Sequence, residues 1–379
     1  MYWQRRYIKE DQAFIGTSGL ETIDLPNKGL LSCIELNLAV LGGAAANKPN
    51  VWIHDALEKL ELIVNGSQVV KSLTGSQVLA LSMYDKTFAE AQPPRQYENT
   101  TCYEKFLINL GRFYHDEDFM LDLSKVNDPE LRLTFNWGMT GHNGWDGGQA
   151  FGDTIAPKYS CIPHLLRESE IIPKGFIKTS EIYRFTSGAL KKENMTIPRG
   201  PLYNGLYLES RYKWEGLGRN LDYVEVNINN SELIPFRLAN QEFITQLIRR
   251  YGLFERSEIL KVTDKNDYPA PLEEGSVYES NYNAQDVIGC HGPMWGGYCN
   301  IQCRKISDYT AQAVAHQRWL HFKGILPFNL AKIPYMDEMD ERTWIDSSAL
   351  GDFWVRYEET AGGGNGATIK LLADEVVRQ

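Results

Sequence analysis

The sequence predicts an all-β chain with short helices, in which one antiparallel sandwich is written twice. Two observations carry this reading. Apolar residues alternate with polar ones at the two-residue period of a strand with one buried face, in short runs punctuated by Gly, Pro and Asn. The polar and turn residues of the first half then recur, in the same order, in the second. A length of 379 residues accommodates two domains of ordinary size, and 12% aromatic residues suit pleated faces and contact surfaces.

The elements pair as follows. Ile23 to Leu38 (IDLPNKGLLSCIELNL) matches Met195 to Ser210 (MTIPRGPLYNGLYLES), with Pro26 answering Pro198 and the alternating Ile34 and Leu36 answering Leu206 and Leu208, an offset of 172. Leu57 to Ser67 (LEKLELIVNGS) matches Leu221 to Ser231 (LDYVEVNINNS) at an offset of 164, because the first copy carries a longer loop, VLGGAAANKPN. Both segments place apolar residues on alternate positions, and both end in residues that tolerate the left-handed backbone of a tight hairpin, Asn65-Gly66 and Asn229-Asn230. TGSQVLALSMYDK and LANQEFITQLIRRYG then read as short amphipathic helices.

Farther along, Phe106 to Asp118 (FLINLGRFYHDED) matches Ile325 to Met339 (ILPFNLAKIPYMDEM), sharing Asn109-Leu110 with Asn329-Leu330 and an Asp-Glu pair. Each copy closes with a late strand (Leu131 to Trp137; Asp352 to Glu359), a Gly-rich loop and a final strand (Tyr159 to Leu166; Ala367 to Val376). The spacing predicts two tandem jelly-roll β-sandwiches, residues 1–169 and 170–379. The second carries a long insertion, about 254–315, before a strand beginning near His321. Its Pro, Gly and Asn content reads as an exposed, loop-like protrusion.

Composition bounds the function. The formal net charge of −10, with no long basic run, disfavours a surface that neutralises phosphates, so no direct nucleic-acid binding is expected. Six scattered Cys do not make a disulfide framework. The chain opens MYWQRRYIKEDQ without an apolar leader, and no stretch reaches the roughly 20 apolar residues that span a bilayer, so a soluble protein made in a cytoplasm is expected.

The paired segments Leu25-Pro26 with Leu57 to Ser67, and Ile197-Pro198 with Leu221 to Ser231, resemble the double jelly-roll major capsid proteins of tailless icosahedral double-stranded DNA viruses. That lineage includes tectiviruses, corticoviruses, turreted archaeal viruses and the adenovirus hexon. The resemblance is one of architecture and repeat logic over nearly the whole chain. It implies a homotrimer whose six barrels make a pseudo-hexagonal capsomer of a virion capsid, meeting neighbouring capsomers, penton and minor capsid proteins. It also implies no enzymatic activity, no catalytic residue and no cofactor. Some members contact an internal membrane through the N-terminal segment; here residues 1–12 offer Trp3, Arg5, Arg6, Tyr7 and Lys9 for that contact, with Glu10 and Asp11 directly after.

Several clusters invite a chemical reading. Cys290, His291, Cys299 and Cys303 supply four soft or borderline ligands within one segment, but without a C-x2-C pair. Ordinary thiols fit that spacing better than a structural metal or a disulfide. His142, Asp146 and Asp153 lie in a Gly-rich loop whose glycines do not follow a nucleotide-binding order. His115, Asp116, Glu117 and Asp118 form an acidic cluster whose counterparts, Asp337 and Glu338, recur in the second copy, which favours a shared structural loop over an active site. Trp145, Trp295, Tyr298 and Trp344 are the interface candidates, because loop Trp and Tyr anchor contacts. The alternative, since fold does not decide function, is a two-jelly-roll carbohydrate-active protein, either a lectin-like module or a glycoprotein amidase, whose groove would use Trp137, Trp145, Asp146 and Asp153.

Overall fold

The structure is a computed structural model that describes residues 1–43, 51–85, 95–96, 101–142, 145–146, 151–152, 155–212, 215–262, 266–269, 272–273, 276–280, 300–303, 316–361 and 366–378. The first barrel is built from β1 (Tyr2–Arg5), β2 (Lys9–Ala13), β3 (Ser18–Asp24), β4 (Leu30–Leu41), α1 (Ile53–Ala56), β5 (Leu57–Val64), β6 (Gln68–Leu73), α2 (Gly75–Tyr84), β7 (Thr101–Asn109), β8 (Glu130–Asn136) and β9 (Lys158–Arg167). One sheet pairs β1 and β2 with β9, then β9 with β4 and β4 with β7; the other runs β3–β8–β5–β6, and every pairing is antiparallel. Two four-column sheets with this order, facing each other across one core, are a jelly roll.

The second barrel repeats the order with β10 (Gly175–Thr186), β11 (Lys192–Thr196), β12 (Leu202–Tyr212), α3 (Leu217–Asn220), β13 (Leu221–Ile228), β14 (Leu233–Ala239), α4 (Asn240–Tyr251), β15 (Phe254–Val262), β16 (His316–Gly324), β17 (Leu330–Lys332), β18 (Phe353–Glu359) and β19 (Thr368–Arg378). Its sheets run β10–β19–β12–β17 and β11–β18–β13–β14. Each segment aligned between the halves of the sequence therefore occupies the same column in its own barrel.

The match extends to single side chains. In β5, Leu57, Leu60, Leu62 and Val64 are buried while Glu58 and Lys59 are exposed; in β13, Leu221, Val224, Val226 and Ile228 are buried while Asp222 and Tyr223 are exposed. A one-residue slip would turn these apolar sets away from the core and bring Lys59 and Glu61, or Tyr223 and Glu225, into it, so the alternation fixes the register. The hairpins that follow use the left-handed backbone expected of them, with φ of 55° at Asn65, 74° at Gly66, 53° at Asn229 and 52° at Asn230.

Two sequence expectations need correction. Helix α2 is not amphipathic: all ten of its residues are buried, whereas in α4 only Phe243 and Leu247 are. The composition agrees, since GSQVLALSMY has no charged residue while α4 carries Glu242, Arg249 and Arg250. The insertion is not simply a loop. Its flanks β15 and β16 form a continuous antiparallel ladder that begins at His316, ahead of the expected His321. Ser276–Ser280 adds to β16, Asn266–Pro269 pairs with Asn300–Cys303, and Leu272–Glu273 pairs with Leu326–Pro327. Among the described residues, Pro269 of that loop-like composition lies at the end of one of these short strands.

Leu60 is wholly buried in the shared column, so Leu60→Ala should lower unfolding stability by about 2–5 kcal/mol. Glu58→Ala, on the exposed face of the same strand, should stay within about 0.5 kcal/mol. Urea denaturation of the two variants checks the register directly.

Candidate functional site

For a chain of two barrels the geometry that matters is how one barrel is held against the other. The connection is partly backbone. Strand β6 of the first barrel pairs in parallel with β10 of the second, Lys71 with Thr179 and Ser72 with Ser180, so that a single ten-stranded sheet runs through both barrels. Around this join lies a buried polar seam. Lys71 Nζ donates to Thr179 Oγ1 at 2.6 Å, and Thr179 Oγ1 in turn donates to Asp374 Oδ1 at 2.5 Å. Tyr207 Oη donates to the other oxygen, Asp374 Oδ2, at 2.6 Å.

Helix α2 supplies the next contacts. Gln77 accepts the Thr74 amide at its N-terminus with Oε1 and donates Nε2 to Glu209 Oε2 at 2.6 Å, so one side chain both caps the helix and crosses to the second barrel. Lys370 Nζ sits 3.2 Å from the same Glu209 oxygen. Burial drives the Glu209 carboxyl up, but Lys370 and Gln77 outweigh it and hold the group below the usual carboxylate range. At the C-terminal end of α2, Tyr84 Oη donates to the Leu330 carbonyl at 2.8 Å and accepts from the Lys332 amide at 3.1 Å.

The first turn of the chain after the long loop completes the seam. Arg211 Nη2 donates to Asp55 Oδ1 at 2.6 Å, with both side chains buried, and Asp55 Oδ2 accepts the Trp52 amide at 3.0 Å. His54 beside it lies 3.2 Å from Glu104 and packs edge-on to Phe328 of the second barrel. Gly75 has no room for a side chain, because a Cβ there would meet the His54 carbonyl oxygen at 2.4 Å. Between these groups is a polar cavity of 340 Å³ lined by Asp55, Arg184, Glu209, Arg211 and Lys370 among others, large enough to hold several waters.

Burial shifts two groups of the seam against their charged forms. Lys71 is pulled below the usual amine range by loss of solvent, with Asp374 and Asp85 acting in the opposite sense. Asp85 is pushed up to about 7 by burial, opposed by the amide of Asn109, whose Nδ2 donates to it at 2.7 Å.

The structure places the sequence-derived candidates as follows. Trp344 is 8% exposed and packs on Phe119, Val376 and Leu202, with its Nε1 donating to the Asp337 carbonyl at 2.9 Å; it anchors the two barrels to each other within the chain. Trp137, the groove residue of the carbohydrate reading, is 2% exposed and packs among Phe14, Phe135 and Phe151, so it is a core residue and not a sugar platform. Asp116 is buried and accepts from Arg112 Nε at 2.7 Å, Arg112 Nη2 at 2.9 Å and two backbone amides. That carboxylate holds the turn after β7, and Lys332 with Glu338, 3.1 Å apart, holds the counterpart turn. Trp3 and Arg5 are engaged by the barrel, Trp3 stacked on His115 and Arg5 donating to Tyr114 Oη at 3.3 Å, while Tyr2 and Tyr7 remain exposed. Trp295, Tyr298, Cys290, His291, Cys299 and Asp153 lie outside the described residues, as do the side chains of His142, Trp145, Asp146 and Cys303.

The whole chain superimposes on solved virus structures. A structure of the Sulfolobus turreted icosahedral virus aligns with a TM-score of 0.55 at 11% identity, covering 99% of this chain and 90% of that chain. The fold is the double jelly roll. The major capsid protein P2 of bacteriophage PM2 aligns with a TM-score of 0.54 at 11% identity over 99% of both chains. A chain of the PBCV-1 virus capsid aligns with a TM-score of 0.52 at 9% identity, over 98% of this chain and 93% of that one. No protein-family model and no curated protein matches the sequence. These three chains thus share the fold with this one over nearly their whole length while sharing about one residue in ten.

Sequence reasoning missed the seam. The absence of charge from α2 was the available signal, because a ten-residue helix without a solvent-facing charge has no exposed side.

Two outcomes follow from the buried seam. Arg211→Met removes the guanidinium from a buried carboxylate and should cost about 3–5 kcal/mol in denaturant unfolding. For Asp85, the folded state keeps its proton up to about pH 7 while the unfolded chain releases it near the ordinary 3.8, so stability should fall as pH rises through that window. Asp85→Asn should abolish that fall, seen by comparing urea midpoints near pH 4 and near pH 8.

Proposed function

We propose that the chain is the major capsid subunit of a tailless icosahedral virus, trimerising into pseudo-hexagonal capsomers. The observation that carries this reading is the whole-length match, in both directions, to virus capsid structures that share the same two-barrel architecture. The reasoning from geometry is direct. Two similar barrels fixed side by side give one chain two near-equivalent flanks, so three chains around a threefold axis present six barrels in an approximate hexagon, and hexagons tile a shell. A subunit of this kind works through the relation between its barrels and needs no catalytic group.

In this reading the chain is made in the host cytoplasm and ends in the virion. Its partners are copies of itself, with penton and minor capsid proteins at positions where sixfold packing fails. An internal membrane, where the virus has one, would be met by the exposed Tyr2, Arg5, Arg6 and Tyr7 of the N-terminal segment. Trp145, Trp295 and Tyr298 remain the proposed anchors between subunits.

Size-exclusion chromatography with light scattering should return a trimer or a larger shell, and negative-stain micrographs should show hexagonal outlines. A stable monomer that binds or cleaves glycans would contradict the proposal.

A further inference from the structure

One cluster on the first barrel has no part in the seam or in the proposed assembly. Cys33 and Glu35 lie two residues apart on β4 and so share one face, while Ile34 and Leu36 point into the core on the other. His164 on β9 is the cross-strand partner of Cys33. The turn after β7 brings His115 over them. One ligand atom each of Cys33, His115 and His164 lies within 4.8 Å of the others.

We propose that Cys33, His115 and His164 bind one zinc ion, oriented by Glu35, which ties the N-terminal strand and the turn after β7 to the first barrel. His115 Nε2 and His164 Nδ1 face each other at 3.2 Å. Two imidazole nitrogens on a tetrahedral zinc, each about 2.05 Å from the metal, are about 3.3 Å apart, so the rings already stand at the edge length of such a site. A sulfur–nitrogen edge is about 3.6 Å, and closing on the metal asks the Cys33 thiol to move by about 1 Å.

The rings are held for the task. His115 is clamped between Trp3 at 3.7 Å and Tyr114 at 3.8 Å, both stacked, and its backbone sits at φ 61°, an uncommon conformation for a residue with a side chain. His164 is 2% exposed, and its Nε2 finds no hydrogen-bond partner among the described residues; Glu35 Oε2 is 3.7 Å away. With Nδ1 on a metal, Nε2 carries the proton and turns it toward Glu35, the carboxylate–histidine arrangement that strengthens a histidine ligand. Tyr114 Oη, 3.1 Å from His164 Nδ1, is placed to be the fourth ligand or to give way to a water.

Charge and protonation fit. A Cys33 thiolate and the Glu35 carboxylate together balance a divalent ion, with the Arg5 guanidinium bonded to Tyr114 and the Lys105 ammonium facing Glu35 as the nearby cations. Burial, then the neighbouring His164, lowers His115 to about 4, so its ring is neutral and free to ligate at ordinary pH. Burial raises the Cys33 thiol, so metal binding releases its proton and weakens as pH falls.

The test is titration of the metal-free full chain with Co²⁺, read by absorbance. One equivalent per chain should give intense visible bands of tetrahedral cobalt and a near-ultraviolet thiolate band. Cys33→Ser should lose the thiolate band, His115→Ala should lose both, and Glu35→Gln should weaken binding by about 10–100-fold. His115→Ala alters a half-buried turn and so decides the matter should Cys33→Ser fail to fold. A chain with Cys290, Cys299 and Cys303 all changed to Ser should keep the full spectrum. Absence of a stoichiometric thiolate band, its survival in His115→Ala, or its loss in the triple serine chain would overturn the assignment.

Discussion

The structure depends on a buried polar seam that makes two barrels behave as one body. Sheets have edges, and an edge strand with free amides and carbonyls invites pairing. Here the edge of one sheet in each barrel is closed by the other barrel, through the parallel pairing of β6 with β10. The cost is that Lys71, Thr179, Asp374, Glu209 and Arg211 are taken out of water. Each of them is therefore bonded across or along the seam, since a buried polar group without a partner costs more than the bond it forms contributes. Apolar packing alone would let the barrels slide; directional bonds from three separate elements leave one docking geometry.

Much of the fold was legible in the sequence because the physics that sets it is local. Alternation in LEKLELIVNGS and LDYVEVNINNS reports one buried face wherever the strand sits, and Asn65 and Asn229 mark turns because few residues accept their backbone angles. The seam was not legible for the opposite reason. Lys71, Thr179 and Asp374 look like ordinary solvent-facing positions of their strands, and only pairing between segments more than a hundred residues apart buries them. Trp344 and Trp137 follow the same rule: each looks free on a loop or strand end, and each is covered by a ring distant in sequence, Phe119 and Phe14 respectively. In the insertion, strands such as Asn266–Pro269 take partners that no local pattern names.

The turn after β7 links the two regions of interest. Its Asp116 carboxylate fixes the backbone, and its two ends face different ways: His115 toward β1 and β9, Phe119 toward Trp344 of the second barrel. Lys174, in the connection between barrels, adds a 2.7 Å contact to Glu341 and donates its amide to the Asp118 carbonyl. A change in this turn would therefore be felt both at the N-terminus and at the barrel junction, although the exposed ion pairs themselves contribute little.

The central claim is that the two barrels are held rigidly in a single relation. Distances between spin labels placed at the exposed positions Glu58 in β5 and Asp222 in β13 measure this most directly, in a chain with its other reactive thiols replaced and mixed with unlabelled subunits. The account predicts one narrow distance distribution that broadens in a chain carrying Thr179→Val. A broad or multi-peaked distribution in the otherwise unaltered chain would contradict it.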